Sequence, residues 1–179
     1  MTTAVVLDAS VAITFLLRQQ GVGEIKRRME GWLAHRVAMC VPTHFWLEVG
    51  NGLVRRHRMT GDRMMEAIHT LDEIGLTTVP VDRPLLLLAL DRAERFGLTT
   101  YDAAYLALAE TLDATLYTSD RALLTAAGSR GLVVAGAADH RLSEVPAAYG
   151  AERRPTWPNY SGAAAYLSKL RAEATHPPT

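Results

Sequence analysis

The chain has 179 residues, a length that suits one domain with a core large enough to need no disulfide or metal staple. Apolar residues make up 49% and charged residues 21%, which excludes disorder over most of the chain. Nineteen basic and nineteen acidic residues cancel, so a polycation that coats nucleic acid by bulk charge is excluded and only a local basic rim is left.

The first apolar run, Ala4-Val5-Val6-Leu7, has the form of a strand buried on both faces and stops at Asp8. With no basic n-region and with Asp8 interrupting it, this start does not read as a signal peptide, and no apolar run approaches the roughly 18 residues of a membrane span. A cytoplasmic protein with no membrane partner is the expectation. Val11 to Leu17 reads as a helix, and Ile25, Met29, Trp32 and Leu33 carry a second one. Val37 to Val41 is a second strand closed by Pro42; the lone Cys40 inside it is a small core hydrophobe, since one cysteine builds neither a disulfide nor a zinc site. A third helix is expected from His44 to Arg58, and a fourth from Gly61 to Gly75 through Met64, Ala67, Ile68, Leu71 and Ile74. Leu76 to Val81 follows as a strand. Leu85 to Phe96 is a helix with Pro84 at its start and Gly97 at its stop.

Asp102 to Leu112 forms a helix rich in Ala and Leu, Ala114 to Thr118 a fourth strand, Asp120 to Ala127 a short helix and Leu132 to Ala135 a fifth strand. Strands alternating with helices predict an α/β domain, residues 1–145, with a central parallel sheet of about five strands covered by helices. Beyond it the texture changes: five of the eight prolines and three of the six tyrosines fall in residues 146–179. This stretch reads as a C-terminal appendage with one terminal helix over 161–174, which Trp157, Tyr160, Tyr166 and Leu170 are expected to dock on the domain or on a second subunit.

In parallel sheets ligands bind beyond the carboxyl ends of the strands. Asp8 ends the first strand and Asp120 follows the fourth; neighbouring strands would put both in one crevice. Asp102 opens a helix, and Glu48 lies in Trp46-Leu47-Glu48-Val49-Gly50-Asn51-Gly52-Leu53. Carboxylates without a cysteine or histidine pair are oxygen ligands suited to Mg²⁺ or Mn²⁺. Each Asp also has a plainer use as a helix cap, and Thr99 with Asp102 fits a capping box. Glu48 shares a helical stripe with His44, Asn51 and Arg55, while Gly50 and Gly52 in the same helix, each costing about 1 kcal/mol relative to Ala, point to close backbone approach. Arg55, Arg56, His57 and Arg58 form a local basic rim or, equally, a solvated helix end.

Other enzyme classes lack their parts. There is no G-x-x-x-x-G-K-[ST] loop and no G-x-S-x-G elbow, and Asp8-Ala9-Ser10 lacks the second Asp of a haloacid-dehalogenase-like phosphatase. Lys26 and Lys169 are the only lysines, against a receiver domain.

Val6-Leu7-Asp8-Ala9-Ser10-Val11, Glu48-Val49-Gly50-Asn51-Gly52-Leu53, Thr100-Tyr101-Asp102-Ala103-Ala104-Tyr105-Leu106 and Thr118-Ser119-Asp120-Arg121 occur in the order and spacing of a PIN-domain ribonuclease. The chain most resembles the VapC toxins of bacterial and archaeal toxin–antitoxin pairs over about residues 4 to 135. The resemblance implies a three-layer α/β/α sandwich and Mg²⁺- or Mn²⁺-dependent endoribonuclease activity. It assigns Asp8, Glu48, Asp102 and Asp120 as the metal-holding catalytic quartet, and Ser10, Asn51 and Thr118 as supporting polar residues. Arg121, at the end of the fourth fragment, joins Arg55, Arg56 and Arg58 as the candidate RNA rim. It further implies a homodimer, and a VapB-like antitoxin whose C-terminal segment lies across the cleft. A housekeeping PIN nuclease outside any toxin system and a non-catalytic PIN-fold interaction module are the alternatives.

Overall fold

The structure, a computed structural model, describes residues 4–133; the 146–179 appendage and its expected helix lie outside the described residues. Five strands form one parallel sheet: β1 (Ala4–Leu7), β2 (Ala38–Pro42), β3 (Thr77–Val79), β4 (Thr115–Thr118) and β5 (Gly131–Val133). Their spatial order is β3-β2-β1-β4-β5. The chain builds outward from β1 to β3 on one side, then returns to lay β4 against the other side of β1, with Leu7 opposite Tyr117. The order therefore reverses between β1 and β4, the place where open parallel sheets leave a crevice.

Among the described residues seven α-helices complete an α/β/α sandwich: α1 (Ala9–Leu16), α2 (Val22–Ala34), α3 (Phe45–Asn51), α4 (Gly61–Glu73), α5 (Arg83–Phe96), α6 (Thr100–Thr111) and α7 (Arg121–Ala127). Every residue of β1 is buried, as its unbroken apolar run predicts for a central strand. Helix α6 is buried from Ala103 through Ala109 and packs on β1, β2 and β4; its alanines let the helix backbone approach the sheet closely. Helix α5 covers α6 and stops at Gly97, whose φ of +64° is the left-handed conformation that ends helices cheaply only at glycine.

Most element boundaries shift by one or two residues from expectation, and some of the differences have a visible cause or consequence. The third helix does not run evenly to Arg58: regular α3 ends at Asn51 and a π-helical turn, Gly52–Arg56, follows. Strand β3 is only three residues long, because Pro80 has no N–H to extend the ladder. Strand β5 begins at Gly131, one residue before the expected start. The two α3 glycines also separate. A Cβ on Gly52 would stand 2.5 Å from Ile13 Cδ1, so α1 approaches the backbone there, whereas nothing lies within 4 Å of a Cβ on Gly50. Close approach explains Gly52 and not Gly50. No helix among the described residues is long and apolar enough to cross a membrane.

Candidate active site

The pairing of β1 with β4 brings Asp8 and the Thr118-Ser119-Asp120 loop into one crevice at the carboxyl end of the sheet. Asp8 continues the ladder one residue past β1, its N–H donating to the Tyr117 carbonyl at 3.0 Å. Although it precedes α1, its side chain makes no capping bond. Instead Oδ2 accepts from Ser10 Oγ at 2.5 Å and from Thr118 Oγ1 at 2.8 Å. Ser10 Oγ in turn accepts the Ser119 N–H at 3.0 Å, and Thr118 Oγ1 accepts the Asp120 N–H at 2.9 Å. Ser10 and Thr118 thus tie the two strand ends together through the carboxylate between them.

Asp120 does cap: its Oδ1 accepts the Leu123 N–H at 2.8 Å at the start of α7. Asp102 lies in the first turn of α6, where the Thr99 hydroxyl accepts its N–H at 3.1 Å and donates to its Oδ2 at 2.6 Å. The capping expectation holds for these two residues and fails for Asp8. Glu48, on α3, is largely buried; its Oε2 accepts the Tyr105 hydroxyl at 2.5 Å and lies 3.8 Å from His44 Nε2.

The four acids feel one another. Burial, the largest cause, pushes the Asp8 carboxyl up to about 6 against the lowering pull of its two hydroxyl donors, with the Asp102 and Asp120 charges adding to the rise. Burial pushes Glu48 up to about 7, opposed by the Tyr105 hydrogen bond and reinforced by Asp8 and Asp102. Asp102 is raised by burial, and Asp120 raises it further. Among the described residues no three His, Cys, Asp or Glu side chains stand close enough together to hold one ion as placed. The acids are gathered but not converged, and repulsion between like charges opposes closer approach.

A divalent hard cation fits this donor set in kind. Every group that would face it is a carboxylate or hydroxyl oxygen, and the one cysteine is buried in β2. Ser119 Oγ, on the same loop, is buried with no hydrogen-bond partner among the described residues, a further oxygen left over.

The remaining expected residues stand further out. Asn51 is exposed at the end of α3, and no hydrogen bond among the described residues joins it to the acids. Arg55 and Arg56 are exposed on the π-helical turn and Arg58 just beyond it, while Arg121 is exposed immediately after Asp120. One residue escaped the sequence reading of the site. Tyr105 is 0% exposed and looks like one more apolar member of α6, yet its hydroxyl holds Glu48. Its place three residues after Asp102 was the available signal, since i and i+3 share a helix face. His44 stands in edge contact with Tyr105, ring centroids 5.0 Å apart.

Comparison with known proteins agrees with this architecture. The sequence profile of the PIN domain matches residues 5–129. The crystal structure of PAE2754 from Pyrobaculum aerophilum superposes with a TM-score of 0.55 at 26% identity, over 75% of this chain and 85% of that one. A toxin–antitoxin complex from Klebsiella pneumoniae superposes with a TM-score of 0.50 at 18% identity, a likeness of fold, over 65% of this chain and 86% of that one. No curated protein matches the chain.

Proposed function

The chain belongs to the PIN domain family, whose members are in general nucleases, and on that premise we propose that it is a divalent-metal-dependent endoribonuclease. The observation that carries the reading is the crevice between β1 and β4, where the Asp8 carboxylate is held by Ser10 and Thr118 with three further acids in electrostatic reach. Asp8, Glu48, Asp102 and Asp120 are the residues that would hold Mg²⁺ or Mn²⁺. Such an ion, when bound, supplies an activated water and stabilises the leaving oxygen of a phosphodiester.

The chain's own residues divide the remaining work. Ser10 and Thr118 fix the Asp8 carboxylate by donating to one of its oxygens. Tyr105, buried and held neutral by its surroundings, donates to Glu48 and orients it. Thr99 orients Asp102 in the same manner. Arg121, Arg55, Arg56 and Arg58 supply the basic rim that positions the RNA backbone. Residues 1–145 form the nuclease domain and 146–179 an appendage to it.

The sequence motifs, with a fold like that of the Klebsiella pneumoniae toxin–antitoxin complex, support the further reading that the protein is a toxin restrained by an antitoxin partner; that it is VapC-like, cytoplasmic and a homodimer, and that the antitoxin is VapB-like, is proposed from the motif resemblance alone. The test is incubation of the protein, freed from any co-purified partner, with a defined RNA panel with and without Mg²⁺ or Mn²⁺. Cleavage abolished by EDTA and leaving 5′-phosphate and 3′-hydroxyl ends is the expected result. Cyclic 2′,3′-phosphate ends would overturn the mechanism, and cleavage indifferent to metal would overturn the assignment of the acids.

A further inference from the structure

Beside the acids, between the start of α3, the β3–α5 connection and the start of α6, lies an open hollow of about 390 Å³. His44, Leu47, Val81, Leu86, Tyr101 and Ala104 line it. Its size is at the small end of the roughly 300–1,000 Å³ of ligand pockets. Its walls are apolar and aromatic, although it adjoins the most acidic part of the molecule. Tyr101 immediately precedes Asp102, and His44 lies 3.8 Å from Glu48. An occupant whose one end is anionic and metal-seeking and whose other end is flat and apolar matches both halves; a nucleotide is such an occupant.

The aromatic side chains are arranged to receive a flat ring. Tyr101 is 62% exposed, unusual for an aromatic residue in the first turn of a helix, yet it is not loose. Its ring stands tilted against His44 at 5.6 Å, and His44 is braced in turn on the fully buried Tyr105 at 5.0 Å. Tyr105 is the residue that grips Glu48. The three rings form a stair from the buried acid to the open hollow, with Leu86 and Leu47, both exposed, at its margins. Exposed aromatic platforms next to a phosphate-binding site are how proteins hold single-stranded bases, since every base has a π-face.

We propose that this hollow is a base-binding subsite, in which the nucleobase next to the cleaved phosphodiester stacks on Tyr101 and thereby positions the RNA strand over the acids. The proposal rests on the nuclease reading above and adds the residue that chooses where the strand is held.

The test scans a cleavable RNA with single abasic nucleotides around the cut position, using the full chain and its Tyr101→Ala and Tyr101→Phe variants. In the wild type, one abasic position raises KM roughly tenfold or more, with a smaller change in kcat. Tyr101→Ala raises KM for the intact RNA by a similar factor and makes that abasic position neutral, whereas Tyr101→Phe keeps the wild-type pattern. An unchanged abasic profile in Tyr101→Ala overturns the subsite. So does a Leu47→Glu variant that shifts a dimer to a monomer while KM and the abasic profile stay as in the wild type, because the hollow is then an interface between copies. Anisotropy with a non-hydrolysable RNA analogue keeps the two readings apart. A chain that cleaves nothing but loses binding on Tyr101→Ala overturns the nuclease reading and upholds the subsite.

Discussion

Thr118 Oγ1 donates to Asp8 Oδ2 at 2.8 Å across 110 positions of sequence, and the same oxygen accepts the Asp120 N–H at 2.9 Å. One buried hydroxyl therefore sets the spacing between two of the acids. Replacing it by the isosteric Thr118→Val removes the acceptor of the Asp120 N–H and leaves Asp8 Oδ2 with the Ser10 hydroxyl in place of two donors. The expected cost is about 1–3 kcal/mol in urea unfolding, and Thr118→Ser, which keeps the hydroxyl, is expected to recover most of it.

The acids also make stability depend on pH in a definite direction. Asp8 and Glu48 carry folded-state values of about 6 and 7, above the ordinary 3.8 and 4.5 that apply to the unfolded chain. The folded protein holds protons that the unfolded chain has released, so their contribution is complete below about pH 4. It is lost as the pH rises through 6 and 7, on the order of 3 kcal/mol for each group. In EDTA the Tm is expected to fall between pH 5 and 8, and Mg²⁺ or Mn²⁺ to restore it at pH 8 far more than at pH 5. Asp8→Asn is expected to remove about half of the pH dependence, leaving the share of Glu48, and to remove most of the metal shift; an equal metal shift in the variant places the ion elsewhere.

Asp102→Asn separates catalysis from capping. The variant keeps the backbone N–H that donates to Thr99, so α6 retains its start. With Asp102 as a metal ligand the cleavage rate is expected to fall roughly 10²-fold or more. Wild-type-like cleavage by the folded variant, measured on the same RNA, would reduce Asp102 to a helix cap.

The two α3 glycines predict opposite outcomes. A Cβ at position 52 meets Ile13 Cδ1 at 2.5 Å, so Gly52→Ala is expected to destabilise by about 1–3 kcal/mol. Adding Ile13→Val, which removes that methyl, is expected to recover part of the loss. Gly50→Ala meets nothing within 4 Å and is expected to stabilise the helix by about 0.5–1 kcal/mol. Thermal melts of the three variants check this directly.

The strands and the acids were legible in the sequence because they rest on local signals: an unbroken apolar run before Asp8, a Thr before the Asp102 helix, a strand ending just before Asp120. That Asp8 and Asp120 share a crevice was conditional, since only long-range pairing of β1 with β4 decides it. Tyr105 was hidden by its own burial. On a helix that is apolar on every side, a tyrosine reads as packing volume, and the partner that gives its hydroxyl a purpose lies 57 residues away. The π-helical turn after Asn51 was hidden for a related reason: α and π turns draw on the same residue types, so no local pattern marks where one gives way to the other.

The reversal of strand order between β1 and β4 also dictates when, during synthesis, this site first exists. Asp8 emerges from the ribosome early, but its partners Thr118 and Asp120 emerge only after nearly the whole described domain has been made. Chains grow at roughly 5–20 residues per second and fold as their segments appear. Until β4 slots in beside β1, the first-made strand lacks a neighbour on that side and its carboxylate has no Thr118 to hold it. The crevice and its acids are thus unassembled on the nascent chain. Prematurely terminated fragments that stop before residue 115 lack the crevice by the same topology.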